Sequence, residues 1–317
     1  MKATARQLPL LPDARTPTLR EVTDAIREAD IDALPSARRL ADQARYQEIH
    51  ARSALASVKG MPFHWALNPY RGCTHACEYC YARKYQWHLE LGTGDDFSSV
   101  ILVKTNLPEV LAREVARPTW TREAVAIGTA TDPYQPIEGH YRITRRSIEV
   151  LTAAATPFHI VTKGPLVVRD RDVLSDASKT VRCSVCVSVP TVDEDAWAKL
   201  EPGTAPPMQR LRAVRQLVDA GIDAGVLMMP LVPGITTSRS IVERTLQAIA
   251  DSGARFVGAN VARLDQGARE HFFAFLAREY PALVEGYTRL YERNTADAGY
   301  VREIKGLVDA TAARLGL

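Results

Sequence analysis

The sequence predicts an α/β fold: a partial (β/α)6 TIM-like barrel with an N-terminal helical segment and C-terminal helices. Short apolar runs alternate with amphipathic stretches of helical length through the middle of the 317 residues. This alternation is the pattern of parallel strands joined by right-handed helical crossovers. A hydrophobic content of 46% is enough to bury one barrel-sized core. No internal repeat or low-complexity linker interrupts the alternation.

The segment from Thr18 to about Val58 is predicted to be helical and to precede the barrel. Its apolar residues recur on one side among arginines and aspartates: Leu19, Val22, Ile26, Ile31, Leu34, Leu40 and Ala41. We therefore expect residues 1–60 to form a helical extension, residues 61–262 the barrel, and residues 263–317 a helical region that packs on it.

The predicted barrel strands are short and apolar. They begin near Trp65 and continue at Val100–Val103, Ala124–Ile127, Phe158–Val161, Val181–Val189, Ala224–Met229 and Phe256–Val261. Helices are predicted between them at Leu107–Ala116, Arg145–Ala155, Asp170–Ser178, Met208–Ala220 and Ser238–Ser252. Three more helices are predicted to cover the open edge of the barrel, at Gly267–Arg278, Ala282–Arg293 and Val301–Leu315.

Three of the five cysteines lie in one short segment. Cys73, Cys77 and Cys80 have the spacing C-x-x-x-C-x-x-C, and Tyr81 follows directly. A [4Fe–4S] cluster is ordinarily held by four thiolates, so three leave one iron open to a small chelating molecule. We interpret the three cysteines as ligands of such a cluster. A zinc site and three unrelated thiols are the alternatives, but zinc would require a fourth ligand that neighbouring His75 cannot easily supply.

The cluster segment, with its aromatic Tyr79 and Tyr81, resembles the cluster loop of radical S-adenosylmethionine (radical SAM) enzymes. Three further segments are similar to the branch that includes spore photoproduct lyase and many uncharacterised relatives: Gly128–Glu138, Ile160–Gly164 and Leu200–Thr204. The resemblance extends from about residue 51 to residue 281. It implies a barrel of radical SAM type, with the cluster in the loop after the first barrel strand, at the end where βα loops build active sites.

The resemblance also implies the cofactors and the reaction. S-adenosylmethionine would chelate the open iron, and one electron from the reduced cluster would break its S–C5′ bond. The 5′-deoxyadenosyl radical formed in this way would abstract a hydrogen atom from an unreactive substrate C–H bond. A flavodoxin or ferredoxin-type protein would supply the electron.

Several residues are candidates for binding the cofactor. The family lysine that matches Lys163 binds the methionine carboxylate, although lysines at strand ends commonly contact only solvent. Thr131 and Asp132 could bind the amino or carboxylate group, but Thr-Asp-Pro is also a good turn sequence. A family serine on the strand of Ser188 touches the cofactor. Tyr79 is expected near the adenine; Tyr81 is a further cofactor candidate or a packed aromatic residue.

The strand Val181–Val189 is predicted to have one small polar face. Ser184, Cys186 and Ser188 alternate with Cys183 and three valines, so the two cysteines point to opposite faces. They are therefore unsuited to a shared metal or a disulfide, and we predict one cluster only. Cys186 is a candidate hydrogen-atom donor, with an ordinary buried cysteine as the alternative.

The substrate is predicted to be a small molecule or nucleoside. Spore photoproduct lyase requires a cysteine beside its cofactor-binding serine, whereas this chain has Ala130 before Thr131. A net charge of +3 gives no nucleic-acid signal. Repair of a nucleic-acid lesion, peptide or protein modification, and a non-catalytic iron–sulfur sensor or electron carrier are the alternatives.

The expected location is the cytoplasm. Five cysteines, three of them in one loop, exclude a disulfide scaffold, and an exposed cluster needs a reducing compartment. No apolar run has membrane length, and prolines at positions 9, 12 and 17 argue against a signal peptide. The sequence does not identify the substrate, the reaction outcome or the oligomeric state.

Overall fold

The computed structural model describes residues 40–89, 94 and 96–317. The main sheet has seven strands in the order β10-β9-β8-β7-β6-β3-β2. These are β2 (Leu55–Ser57), β3 (Trp65–Leu67), β6 (Val125–Ile127), β7 (Phe158–Thr162), β8 (Cys183–Ser188), β9 (Ala224–Leu231) and β10 (Val257–Val261). The six strands from β3 to β10 are parallel, and β2 is antiparallel to β3. This is the predicted six-stranded partial barrel.

A smaller sheet lies beside the barrel. It has the order β1-β5-β4 and consists of β1 (Arg45–Ile49), β4 (Tyr70–Arg71) and β5 (Val100–Lys104). The predicted strand at Val100–Val103 therefore exists but belongs to this sheet rather than to the barrel. Val100, Ile101, Leu102 and Val103 are all buried, and a continuous apolar run of this kind does not tell which sheet a strand joins.

The prediction of a helix up to Val58 is wrong for residues 45–57. Arg45–Ile49 pairs in parallel with β5, and Leu55–Ser57 pairs with β3. Inter-strand hydrogen bonds and burial of Tyr46 against the core override the helical periodicity, since propensity is a weak local preference. The earlier part of the predicted helical segment, residues 18–39, lies outside the described residues.

Helices join the strands, and some of them pack on the barrel sheet. They are Asp96–Ser99, Leu107–Val115, Glu138–Tyr141, Ile143–Ala153, Arg171–Ser178, Glu194–Leu200, Pro207–Asp219, Arg239–Asp251, Ala268–Glu279, Val284–Leu290 and Ala298–Leu315. The last of these packs against β10 and against Arg239–Asp251. Short 3-10 helices occupy Tyr81–Leu89, Pro165–Asp170 and Pro281–Leu283. Within the described ranges, no helix combines the length and apolarity needed to cross a bilayer.

The two faces of the barrel sheet differ in burial. On β7 and β8, the residues that face the helices are buried, among them Ile160, Val185 and Val187. The alternate residues on the inner face, such as Val161 and Cys186, are only partly buried. In a filled barrel the inner residues would pack against one another and lose their exposure. The partly buried residues of β7 and β8 therefore leave space inside the barrel, which we call the barrel cavity.

Candidate active site

The cluster segment follows β4 and is fixed to the loops at the C-terminal end of the barrel. The Thr74 amide donates to Gln135 Oε1 at 3.2 Å, and the Glu78 amide donates to the Leu200 carbonyl at 3.0 Å. The Gly203 amide donates to the His75 carbonyl at 3.1 Å. A Cβ at Gly203 would lie 2.1 Å from the Thr74 carbonyl oxygen, so only glycine permits this approach.

The three cysteines of the segment share one sheltered environment. Cys73 and Cys77 are each 7% exposed, and Cys80 is partly buried. Burial raises the pKa of all three thiols, that of Cys77 to about 12. Bound iron would supply the positive charge that stabilises thiolates in such a place. Within the described residues, no three His, Cys, Asp or Glu side chains converge on one metal ion. A cubane cluster does not need that convergence, because each thiolate binds a different iron.

A buried carboxylate connects the cluster segment to two cations. Glu201 accepts hydrogen bonds from the Tyr79 hydroxyl and from Arg210, and Lys163 Nζ lies 3.9 Å from Glu201 Oε1. The Lys163 ammonium also lies 5.7 Å from the centre of the Tyr79 ring. Burial alone would raise the pKa of Glu201, but Arg210 and Lys163 lower it, so the carboxylate stays ionised.

Arg210 is completely buried, and all three of its guanidinium nitrogens donate hydrogen bonds. Besides Glu201, it donates to the Ser188 carbonyl at 2.8 Å, to the Ala205 carbonyl at 2.8 Å and to Thr204 Oγ1 at 2.9 Å. The guanidinium therefore contacts the main chain of Ser188 and neutralises the charge of Glu201. Among the described residues, the Lys163 ammonium makes the long contact with Glu201 and the ring contact with Tyr79, so it retains donors for a ligand.

Asp132 joins the end of β7 to the cluster segment. Its carboxylate accepts from Thr162 Oγ1 and from the Lys163 amide, both at 2.6 Å, and from the Tyr134 amide at 2.9 Å. His75 Nδ1 lies 3.3 Å from the second oxygen. Burial opposes ionisation, but His75 and the other donors lower the pKa of Asp132 to about 2. All of these partners belong to the protein, so the carboxylate fixes the cluster segment relative to Lys163.

The predicted cofactor residues Thr131 and Ser188 are both held by backbone carbonyls. Thr131 Oγ1 donates to the Tyr70 carbonyl at 2.8 Å, and Ser188 Oγ donates to the Met229 carbonyl at 2.9 Å. Each hydroxyl oxygen keeps lone pairs that can accept from an ammonium or hydroxyl donor. The structure places both at the same end of the barrel as Lys163, because β6, β7 and β8 run in parallel.

Tyr81 and the C-terminal region hold the cluster segment from two sides. The Tyr81 hydroxyl donates to the Thr129 carbonyl after β6, and its ring is 39% exposed. On the other side, Glu78 lies 2.6 Å from His271 Nε2, and Lys84 donates to Asp265 at 2.9 Å. These contacts span the mouth of the barrel on both flanks of the cluster segment.

The two cysteines of β8 point to opposite faces, as the alternation predicts. Cys183 is buried on the helix side, where its thiol lies 3.8 Å from the Leu174 carbonyl. Cys186 is partly exposed on the inner face. Burial, with the charge of Asp223, raises the pKa of both thiols to about 11. Cys186 is therefore a neutral thiol in the cavity.

Sequence reasoning did not assign roles to Glu201, Arg210 or His75. Glu201 lies in the segment Leu200–Thr204 that resembles the family, and this was the available signal. Arg210 had none, because a single arginine on an amphipathic helix is usually a surface residue. Its partner in the protein interior is Glu201, which lies nine positions earlier and outside the helix that contains Arg210.

Comparisons with known proteins identify the family of this chain. Residues 67–261 match the Radical SAM superfamily. An uncharacterised protein of Mycobacterium tuberculosis is 39% identical over 255 residues, which are 80% of this chain and 75% of that protein. A radical SAM Nα-GlyT isomerase of a Pseudomonas phage is 26% identical over 251 residues, covering 73% of this chain and 46% of its own length.

The fold is similar to that of spore photoproduct lyase. One structure of the lyase has a TM-score of 0.66 and 16% sequence identity, and the match covers 95% of this chain and 92% of the lyase. A lyase structure with bound S-adenosylmethionine has a TM-score of 0.65. The match of residues 67–261 covers more than half of this chain. The chain therefore belongs to the radical SAM superfamily, whose members are enzymes that use a [4Fe–4S] cluster and S-adenosylmethionine.

Proposed function

We propose that this radical SAM enzyme acts on a small molecule or nucleoside held in the barrel cavity. When bound, the reduced cluster and S-adenosylmethionine supply a 5′-deoxyadenosyl radical that abstracts a hydrogen atom from the substrate. The observation that carries the substrate proposal is the partly exposed inner face of β7 and β8, directly below the cluster segment. Such a radical needs a site that excludes water and rival hydrogen donors, and a barrel interior provides one.

Cys73, Cys77 and Cys80 are proposed as the cluster ligands. They come from a segment whose main chain is fixed by Gln135, Leu200 and Gly203, so the thiols are arranged before iron binds. Three thiolates leave one iron for the cofactor. His75 contacts Asp132 through Nδ1, so we do not propose it as a fourth ligand of the cluster.

Lys163 is proposed to bind the methionine carboxylate. Glu201 is already neutralised by Arg210, so the Lys163 ammonium brings an uncompensated positive charge to the cavity. A charge-assisted hydrogen bond to a carboxylate would use its remaining donors. Thr131 and Ser188 are proposed to accept from the cofactor's polar groups, and Tyr79 to lie beside the adenine. Asp132 would act through its contacts with Lys163 and His75.

Cys186 is proposed as a hydrogen-atom donor to a substrate radical. Its thiol is neutral, which is the form that carries a transferable hydrogen. Transfer breaks the S–H bond, forms a substrate C–H bond and leaves a thiyl radical. One electron from the proposed flavodoxin or ferredoxin-type reductant, with one proton from water, restores the thiol.

A small substrate fits the barrel mouth better than a nucleic acid does. Tyr81 bridges to Thr129 on one flank of the cluster segment, and Glu78 and Lys84 are tied to His271 and Asp265 on the other. These contacts narrow the entry to the cavity. Ala130 also stands where spore photoproduct lyase has the cysteine that its reaction requires.

A redox-neutral isomerisation is a second candidate reaction. The phage relative that matches 73% of this chain is named an isomerase. In an isomerisation the hydrogen abstracted from the substrate returns to the product, so S-adenosylmethionine is regenerated. Deuterium from a labelled substrate would then appear in recovered S-adenosylmethionine. If Cys186 quenches the radical instead, one 5′-deoxyadenosine accumulates per product.

The test is anaerobic reconstitution with iron and sulfide, reduction with dithionite, and measurement of 5′-deoxyadenosine by mass spectrometry. Reactions would contain S-adenosylmethionine alone or with pooled cell metabolites. We expect a low rate with S-adenosylmethionine alone and stimulation by the pool. Stimulation by oligonucleotides but not by the pool would contradict the small-molecule proposal; binding that weakens steeply with salt would identify the nucleic-acid alternative.

A further inference from the structure

Three polar side chains on the inner face of the barrel have no hydrogen-bond partner in the described part of the chain. They are His159 on β7 and Ser184 and Cys186 on β8, all partly exposed. Within the residues that the structure describes, none of the three side chains makes a hydrogen bond or an ion pair. Polar groups in a sheltered site usually find a partner in the protein. Side chains that face a cavity without one are available to a ligand.

The strand register orders these residues in levels along the barrel. His159 is paired with Ser184, and Val161 is paired with Cys186. Thr162 is paired with Val187, so Lys163 and Ser188 occupy the next inner level. Two residues along a strand span about 6.6 Å. The thiol level therefore lies between the proposed cofactor level and the level of His159 and Ser184.

An aromatic ring borders the level of His159 and Ser184. The Phe63 ring stands edge-on to the His159 imidazole, with 5.4 Å between ring centres. At the thiol level, Gly225 is paired with Cys186, and a Cβ there would lie 2.5 Å from Phe256 Cδ2. The missing side chain at Gly225 thus leaves room for the Phe256 ring at the thiol level. We call the surface made by Phe63, His159 and Ser184 the cavity floor.

None of the residues that make the cavity floor is an acid, a lysine or an arginine. Burial lowers the pKa of His159, so its imidazole is neutral and offers one donor and one acceptor. The Ser184 hydroxyl can donate and accept. Asp223 precedes β9 beside Ser184 in the strand register, but it is exposed, so solvent screens its charge. An anionic substrate group would meet this carboxylate, and a cationic group would recover little of the hydration it loses, whereas an uncharged polar group would gain hydrogen bonds.

We propose that His159 and Ser184 bind an uncharged, hydrogen-bonding part of the substrate, such as an amide or the edge of a heterocyclic base. This inference rests on the proposed function and specifies its substrate class. The substrate would extend from the cavity floor past Cys186 toward the cofactor level. Any charged part of the substrate would remain at the mouth of the barrel.

The test separates pooled cell metabolites by ion exchange into neutral, anionic and cationic fractions. The reconstituted holoenzyme is assayed with each fraction for 5′-deoxyadenosine and for protection of Cys186 from iodoacetamide, read by peptide mass spectrometry. We expect the neutral fraction to stimulate formation of 5′-deoxyadenosine and to protect Cys186 from iodoacetamide. In Ser184→Ala and His159→Phe, half-maximal stimulation of 5′-deoxyadenosine formation should require a concentration of the neutral fraction about threefold to tenfold higher for each lost hydrogen bond. Half-maximal protection of Cys186 should require the same increase. Iron content should remain as in the wild type.

His50→Phe is the matched control, because His50 is exposed and remote from β7 in the sheet order. Stimulation and protection by a charged fraction alone, or variants that respond as the wild type does, would overturn the inference. If no fraction yields 5′-deoxyadenosine, the proposed function fails. Protection of Cys186 then becomes the test of the floor site. Protection of Cys186 by the neutral fraction, weakened in Ser184→Ala, would then still support the floor site, and its absence would refute it.

Discussion

The two ends of the barrel cavity differ in how their polar groups are satisfied. At the cluster end, Glu201, Asp132 and Arg210 each make several contacts within the protein. At the cavity floor, the side chains of His159 and Ser184 make no hydrogen bond or ion pair with other described residues. Groups that must hold a cofactor in one geometry benefit from fixed partners, whereas groups that select a substrate must be free to bind it.

The two ends of the cavity also differ in their resemblance to the family. At the cluster end, Asp132, Lys163 and Glu201 lie in the segments that resemble it, Gly128–Glu138, Ile160–Gly164 and Leu200–Thr204. A fold can carry many reactions, and the site decides which one occurs. We therefore expect substitutions at the cluster end to alter iron or cofactor binding, and substitutions at the cavity floor to alter only the response to substrate.

The largest effect is expected for Cys77→Ala. Removal of one of three thiolates should abolish most of the reconstituted iron and all reductive cleavage of S-adenosylmethionine. Iron and labile sulfide analysis with the 5′-deoxyadenosine assay measures both. Cys183→Ala is the matched control, because Cys183 faces the helices and should keep both properties. Retention of iron and cleavage in Cys77→Ala would rule out the proposed ligand set.

Arg210→Met tests the contacts of the cluster end most directly. It leaves the Glu201 carboxylate buried without its guanidinium, which should cost about 3–5 kcal/mol in the free energy of unfolding. Glu201 would then attract Lys163, so binding of S-adenosylmethionine should also weaken. Urea denaturation and a cofactor titration measure the two effects.

Adding Glu201→Gln to Arg210→Met should restore part of both losses, because it removes the uncompensated charge. Arg212→Met on the same helix is the control, since Arg212 is exposed. The double variant could instead lose as much stability and cofactor affinity as the two single variants lose together. That result would show that Glu201 does not compete for Lys163.

Lys163→Ala should keep the cluster but weaken cofactor binding. One charge-assisted contact is expected to contribute about 1.5–3 kcal/mol. Titration of the reduced holoenzyme with S-adenosylmethionine, followed by the electron paramagnetic resonance signal of the cluster, measures the change. The exposed Lys179→Ala should leave the affinity unchanged. Equal affinity in both variants would remove Lys163 from the cofactor site.

The smallest effect is expected for His271→Ala. The pair between His271 and Glu78 is short but partly exposed, so it should contribute about 1 kcal/mol or less. We expect a modestly faster release of iron to a chelator, with cofactor affinity unchanged. The exposed His140→Ala serves as the control. A loss of iron as complete as in Cys77→Ala would mean that the C-terminal region is essential to the cluster segment.

Most of the barrel could be predicted from the sequence because each strand and helix carries its own periodicity. Phe158–Val161 and Met208–Ala220 were predicted within one or two residues of their observed bounds. The strand Arg45–Ile49 was not, because its identity depends on pairing with β5, more than fifty residues later. Local pattern contains no information about that partner.

The sequence by itself determined the family chemistry: three cysteines in one loop, with further segments that resemble radical SAM enzymes, predict a cluster and its cofactor. The cofactor role of Lys163 and a cavity beside β8 are predictions of the same sequence. The tertiary structure decided how those groups are held and what is left open. Glu201 meets Tyr79 across 122 positions, and Asp132 meets His75 across 57, so no local pattern reveals either contact. The free side chains of His159 and Ser184 became evident only when neighbouring strands placed them on one inner face. Hydrogen bonding and burial depend on neighbours in space, and those are set by the fold.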